Sequence, residues 1–595
     1  MMRALRRCAL SCVIALAACG PGTKDPGEGL VSITIEPENA TLTFTGTPAS
    51  LDYKAIGHYE DGTTAELPDA TFSLDATGAQ LGTMTDATFT ASGQGAGKGG
   101  VYAQVGDQMA ATSVIVTVHV TDLGPGVPPG AEANFPDSPP VAAGGPALVY
   151  PLDKAVMPTS VKAPVVQWEG PSGADHLYRL RMTTGFATVD TIVSTSEPDF
   201  TFATTPTTQT WELLKTSSAG GSIKLDLASW DPTNGPRGAA PAEVKVIPAD
   251  IAGAIYYWNL GAGRMERIDA NGRAPAIANP PPKPSSPGNR CVACHSVSKD
   301  GRYLSGALWG GGEQGAVFDM TLETVRTGDP APTVATLTEG GTYTMLFSTF
   351  NHDGTRLMIN SGTALSVIDP ASGQPVATQG TPLPTSGAAH PAWSPDGTTV
   401  AFVNNVTSGG APAFWAVDYD RGDLAVMQAG GNDTFGAPMT IVPAATSPAE
   451  FPAPSWPTFA PDSTWIAYGA GTNSRGRNDG IPAVYPGALF VVNKDGGTVQ
   501  RLDIACANQR DCHLPNFSPY DVGGYFWLVF YSTRDYGNAQ AGTKGTHRRQ
   551  LWITAIDKSK LGAGVDPSSV PYWLPDQDVG TENMSAYWSL PAPIQ

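Results

Sequence analysis

One eight-residue template recurs through the second half of this chain, and it restricts the fold more than any other feature. Ser298-Lys-Asp-Gly-Arg-Tyr-Leu-Ser, Asn351-His-Asp-Gly-Thr-Arg-Leu-Met, Ser394-Pro-Asp-Gly-Thr-Thr-Val-Ala and Ala460-Pro-Asp-Ser-Thr-Trp-Ile-Ala share it, and Ser518-Pro-Tyr-Asp is a looser copy. An Asp-Gly pair between apolar runs is a turn joining two antiparallel strands, because glycine accepts positive φ. Each copy is followed by a further strand pattern, at Ala316–Met320, Leu365–Asp369, Phe414–Asp418, Leu489–Asn493 and Leu551–Ala555. Units of about 40–70 residues with several short strands each predict a β-propeller. Composition agrees with an all-β chain rich in turns: 68 glycines and 53 prolines in 595 residues, with only 15% charged. No 11-residue window beyond the N-terminal segment carries the i, i+3, i+4, i+7 apolar spacing of an amphipathic helix.

The template resembles the repeat of the C-terminal propeller of TolB and its relatives, F-S-P-D-G-x-x-[IV]-A-[FY]. Five units are visible. The sixth is split: Ala586-Tyr-Trp-Ser589 has the strand that precedes such a turn, and Ile255-Tyr-Tyr-Trp-Asn-Leu260 has a strand that follows one. Joining them closes a six-bladed ring over residues 251–595 and leaves no exposed sheet edge. The resemblance implies a platform for protein interaction.

Upstream, Val31-Ser-Ile33-Thr-Ile35 and Val114–Val120 alternate as half-buried strands do, and Asp61-Gly62 is a hairpin turn. With Leu51-Asp-Tyr-Lys-Ala-Ile-Gly-His-Tyr-Glu-Asp-Gly-Thr-Thr64 between those strands, residues 31–121 resemble a group 2 bacterial immunoglobulin-like domain. That implies a spacer or adhesion module. Residues 122–146, rich in Pro, Gly and Ala, form a semi-rigid linker. Trp168, the alternating Leu177–Met182, Trp211–Leu214 and Ile223–Leu227 make residues 147–250 resemble a fibronectin type III-like sandwich.

A second Pro-rich stretch, residues 279–287, leads into Cys291-Val-Ala-Cys294-His295. C-x-x-C-H is the attachment pattern of one c-type haem: each thiol adds to a vinyl group, and the adjoining histidine becomes an axial iron ligand. A CxxC disulfide or redox pair that happens to precede a histidine has the same spelling. His295 lies three residues ahead of Ser298, so the motif is expected at the mouth of the propeller channel. His390, His513, Met584 and Met345 lie four, five, five and six residues ahead of their own templates. His513 is the first candidate for a distal ligand and Met584 the second. In a small soluble cytochrome c the motif sits on a helix, whereas nothing around residues 280–345 predicts one.

Arg3, Arg6 and Arg7 precede an apolar stretch, Ala9–Ala18, that is too short to span a bilayer and reads as an export signal. Leu16-Ala-Ala-Cys19 resembles the lipobox of bacterial lipoproteins. The resemblance implies removal of residues 1–18, acylation of Cys19, and a tether over residues 19–30. Gly20 stands where a retention aspartate would, which favours the outer membrane. Four cysteines then remain as two local pairs, and Cys506–Cys512 is expected as a disulfide closing a short loop. Cleavage also removes three of 35 basic residues and none of 54 acidic ones, taking the net charge from −19 to −22. That balance argues against nucleic acid as a partner.

Three functions follow. The first is a lipid-anchored haem c protein of the cell envelope, working in electron transfer or redox sensing with a protein partner. The second is an interaction scaffold in which Cys291 and Cys294 form a disulfide. The third is a haem enzyme such as a peroxidase, which needs an open iron position and an acid/base beside it. No catalytic residue is assigned. None of the eight histidines precedes a glutamate, and no G-x-S-x-G elbow or P-loop is present.

Overall fold

The computed structural model describes residues 29–277, 292–308, 315–322, 335–336, 345–474, 487–506 and 511–591. Two compact units divide the chain, Met1–His119 and Val120–Gln595.

The first unit is built of short strands. Leu30–Glu36 pairs with Lys54–Tyr59, which pairs in turn with Thr64–Glu66 around Gly62 at φ +79°. Ile33 and Ile35 are buried while Val31 is exposed, and Val114, Val116 and Val118 are buried in the long strand Gln108–Leu123. Both runs therefore bury one face, as their alternation requires.

The second unit contains six sheets arranged as a propeller. From the channel outward, blade 1 runs Val292–Val297, Tyr303–Leu308, Gly315–Asp319 and Ala335–Thr336. Blade 2 has Phe347–Phe350, Leu357–Ser361 and Ala364–Ile368, and blade 3 begins Ala389–Trp393, Thr399–Ser408 and Arg421–Gly430. Blade 4 is Ala453–Phe459, Trp465–Gly471, Gly487–Asn493 and Gln500–Arg501; blade 5 is Cys512–Val522, Tyr525–Ser532, Gln550–Asp557 and Tyr572–Trp573. Blade 6 joins distant parts of the chain: its inner strand Asn583–Ser589 pairs with Ala254–Asn259, followed outward by Arg264–Asp269 and Gly272–Pro275. Each inner strand touches the next, and the sixth returns to the first. The ring is closed, with the split blade where the sequence predicts it.

The template's residues explain its own turn. In blade 3 the Ser394 hydroxyl donates to Asp396 Oδ1 (2.5 Å) and accepts from the Thr399 amide (3.0 Å). The same Asp396 oxygen accepts from the Thr398 amide (3.0 Å), and Gly397 takes φ +79°. Blade 1 repeats these bonds with Ser298, Asp300, Arg302 and Tyr303. Middle strands such as Tyr525–Ser532 are apolar almost throughout because neighbouring blades cover both faces.

Three local expectations are corrected. Phe414–Asp418 is not a strand; Arg421–Gly430 takes that place, and Phe414 is left 79% exposed on a connecting loop. The turn after the loose Ser518 copy falls later, at Gly523-Gly524, where Val522 pairs with Tyr525. Trp211–Leu214 lies in a helix, Thr208–Ser218, rather than a strand. Thr207 caps that helix by accepting from the Thr210 amide (3.1 Å), and it buries Trp211 and Leu214 one turn apart. With so few apolar residues on it, the helix leaves almost no periodic signal.

Residues 147–250 pack on blade 5. Tyr150 joins the cluster of Phe530, Tyr536, Trp552 and Trp573, and its hydroxyl accepts from the Trp573 amide (3.2 Å). Buried Asn538 donates to the carbonyls of Trp168 and Phe202, 2.7 Å each.

Candidate functional site

The inner strands share one irregularity. In blades 1, 3, 4, 5 and 6 the pairing register slips by one residue at the same height, between Ala293 and Ser296, Ala389 and Ala392, Ser455 and Thr458, His513 and Asn516, and Met584 and Tyr587. The residue that absorbs each slip has a left-handed backbone: Cys294 (φ +51°), His390 (+49°), Trp456 (+55°), Leu514 (+48°) and Ser585 (+54°). Each lies four residues ahead of the residue that opens its template copy (Ser298, Ser394, Ala460, Ser518 and Ser589), and Phe347 holds the corresponding place ahead of Asn351 in the regular strand of blade 2. A bulge needs no ladder amide at its second residue, and that residue is proline in three blades: Pro391, Pro457 and Pro515. Cys294-His295 thus occupies the position where other blades carry His-Pro, Trp-Pro and Leu-Pro.

That placement gives the motif its geometry. A regular strand sends consecutive side chains to opposite faces. The bulge sets Cys294 and His295 against one partner residue, and both line the central channel together with Phe347, His390, Trp456 and Tyr587. The cavity there is about 160 Å³. It is too small to enclose a macrocycle.

Cys294 packs against the cluster of Leu346, Phe347 and Ala389. His295 is buried; its Nε2 lies 3.3 Å from the Tyr256 carbonyl, and Nδ1 has no hydrogen-bond partner among the described residues. Burial pushes its pKa down to about 4 against the smaller opposing pull of that carbonyl, so the ring is neutral at physiological pH. His390 is more enclosed. It stacks on Trp456 (centroids 4.1 Å, 18°) and meets the edge of Phe347 (4.5 Å). Its Nδ1 is 3.0 Å from the Tyr419 hydroxyl, Nε2 has no partner among the described residues, and burial lowers its pKa to about 3.

The candidates found by counting along the sequence do not all reach this ring. His513 and Met584 each precede the bulge residue of their strand, and neither lines the channel. His513 is buried against Gly487, where an added Cβ would stand 1.7 Å from its ring, and beside Tyr531 (5.4 Å). Met584 sits opposite Trp258 in blade 6. Met345 is buried with Val317, Phe350 and Leu357. The extra residue of a bulge flips the face, so a position five ahead of the template points away while one four ahead points in. The repeated x-Pro dipeptide was the signal that could have revealed this.

Cys506 and Cys512 are joined by a disulfide, Cα atoms 5.9 Å apart, at the start of the blade 5 inner strand. Cys19 and Cys291 lie outside the described residues. Among the described residues no three His, Cys, Asp or Glu side chains converge on a metal position, and no helix is long and apolar enough to cross a membrane.

Neither protein-family profiles nor curated proteins match this chain. Several solved structures do. A TolB from Agrobacterium tumefaciens is 16% identical, covering 52% of this chain and 87% of that one, with a TM-score of 0.28. The nidogen/laminin complex is 8% identical over 57% of this chain and 99% of that one, with a TM-score of 0.34. The Cps50 (Swd1) β-propeller domain of Myceliophteria thermophila is 9% identical over 52% and 89%, with a TM-score of 0.27. The propeller assignment rests on this chain's own blade order and ring closure.

Proposed function

We propose that this chain is a membrane-anchored propeller that carries one covalent c-type haem at its channel and serves electron transfer or redox sensing. The observation that carries the reading is the bulge that brings Cys294 and His295 to the channel wall together. The donor set suits the group: a cysteine of the required spacing, and a neutral imidazole whose Nδ1 is buried without a partner among the described residues. Cys291 and Cys294 would hold the haem through thioethers, and His295 would ligate it. Bound there, the group would supply one-electron chemistry. The chain's part is to hold His295 neutral and to line the approach with Phe347, Trp456 and Tyr587. Acyl chains on Cys19 would fix the molecule to the outer membrane without a spanning segment, and a redox protein is the partner that fits.

The test uses full-length protein made in cells with c-type haem maturation. Haem-peroxidase staining of a denaturing gel should mark the wild-type band in the membrane fraction. The stain should vanish when both thiols are removed, in the Cys291→Ser/Cys294→Ser double variant, and in Cys19→Ser it should move to the soluble fraction. A stained band in the double variant, or an unstained wild-type band, would overturn the haem assignment.

A second reading has its own support. The propeller is a fold consistent with an interaction scaffold, and Phe414 (79% exposed) and Trp415 (36%) project from the blade 3 connection. In that reading Cys291 and Cys294 form a disulfide, and mass spectrometry of haem-free protein would find both oxidised.

A further inference from the structure

We infer that the cavity between blades 5 and 6, where residues 147–250 meet the propeller, binds an uncharged, largely apolar small molecule that carries a hydrogen-bond-accepting oxygen. Its volume is about 330 Å³. An apolar cavity of about 150 Å³ is enough to take up benzene, so this one has room for a two-ring compound. The wall is buried and mostly aliphatic, built of Ile251, Ile255, Ile268, Ile553, Leu574 and the ring of Trp588. Ile251 and Ile255 come from the passage into blade 6, Ile268 from that blade's next strand, and Ile553 and Leu574 from blade 5. The exposed residues Asp250, Ala252 and Ala270 form its mouth. An apolar wall with a few polar groups, at a junction of modules, is the usual make-up of a small-molecule site.

Two donors belong to this wall and lack partners. Gly253 lines the cavity at φ +120°, and a Cβ there would stand 3.2 Å from Trp588 Nε1 and 2.6 Å from the Ser589 carbonyl oxygen, so glycine keeps that corner open. The Trp588 backbone amide donates to Asn516 Oδ1 (2.7 Å), but its indole N–H has no hydrogen-bond partner among the described residues. The Tyr572 hydroxyl has none there either. Burial pushes its pKa up, so it keeps the proton it can donate. Trp588 is 6% exposed and Tyr572 3%. The polar tips of buried tryptophan and tyrosine ordinarily find partners, and leaving them without is costly. An acceptor oxygen on a ligand removes that cost. The surrounding charges decide the rest. Lys162, Asp250, Asp269 and Asp576 line the cavity, and none of them is buried. Lys162 is ion-paired with Asp576, and Arg267 holds Asp269 at 3.2 Å. An ionised group carried inside would lose its water and meet no counter-charge on the wall, so the molecule that fits is neutral.

The experiment titrates full-length protein with prodan, an uncharged naphthalene ketone whose emission moves to the blue in an apolar site. Wild type should bind it saturably, with blue-shifted emission. Ala252 and Ala270 are exposed at the mouth, so Ala252→Trp and Ala270→Trp should fold as wild type does and lose the blue-shifted signal. Trp588→Phe and Tyr572→Phe keep a ring in place and remove one donor each. Either should weaken binding about threefold to tenfold. Acetylnaphthalene, also an uncharged ketone, should displace prodan, and laurate should not. A wild type that gives no blue shift, or mouth variants that bind as wild type does, would overturn the site. Phenylalanine variants that both bind at full strength, or displacement by laurate, would overturn the class of ligand.

Discussion

His295, His390 and His513 are all buried, and burial holds each pKa between about 3 and about 4, far below its ordinary value. Unfolding restores a pKa near 6.5, so between those limits the unfolded chain binds more protons than the folded one. Stability should therefore be full above about pH 6.5 and should fall as the solution is acidified, by up to about 1.4 kcal/mol per pH unit for each histidine. Urea titrations of haem-free protein at pH 7.5, 6.5 and 5.5 should show the midpoint falling. His513→Asn should flatten that slope, since it removes one of the three groups without touching the channel. An unchanged slope in this variant would show that His513 titrates freely in the folded state. His513 also shows the limit of counting along a sequence. It was legible as a histidine near a strand start, but its face is set by a bulge one residue on, and the bulge is legible only when His390-Pro391, Trp456-Pro457 and Leu514-Pro515 are aligned.

The turn is the element the sequence spells most clearly, because its bonds lie within five residues. Ser394, Asp396 and Thr399 bond one another, and Gly397 takes the left-handed conformation they require. An alanine at Gly397 would meet the His352 ring 2.4 Å from its Cβ in addition to the left-handed strain, whereas Gly409, also left-handed at φ +58°, has open space around it. Gly409→Ala should cost about 1–2 kcal/mol, the backbone penalty alone. Gly397→Ala should cost measurably more, and chemical denaturation of the two variants checks the order. Equal losses would mean that His352 moves aside freely. Elements whose signal is spread thin were harder to see. The helix Thr208–Ser218 rests on one cap and a few buried side chains, and the exposed Phe414-Trp415 pair imitates a strand through composition alone.

At the scale of the molecule, ring closure was legible because blade 6 needs an inner strand that only Asn583–Ser589 supplies. The docking of residues 147–250 on blade 5 was not. It depends on single side chains, Tyr150 against Trp552 and Trp573 and Asn538 against two carbonyls, that no local pattern marks. Closure also decides the site, since only a complete ring brings the bulges of five blades and Phe347 around one channel. Ring closure is common to the proposed haem-bearing reading and to the binding-platform reading, so whether Cys291 and Cys294 carry haem is what separates them. The most direct measurement is a pyridine haemochrome spectrum of purified protein after acid-acetone extraction. A c-type α-band that survives extraction, at one haem per chain, is the predicted result. A colourless extracted protein with Cys291 and Cys294 disulfide-bonded would contradict it.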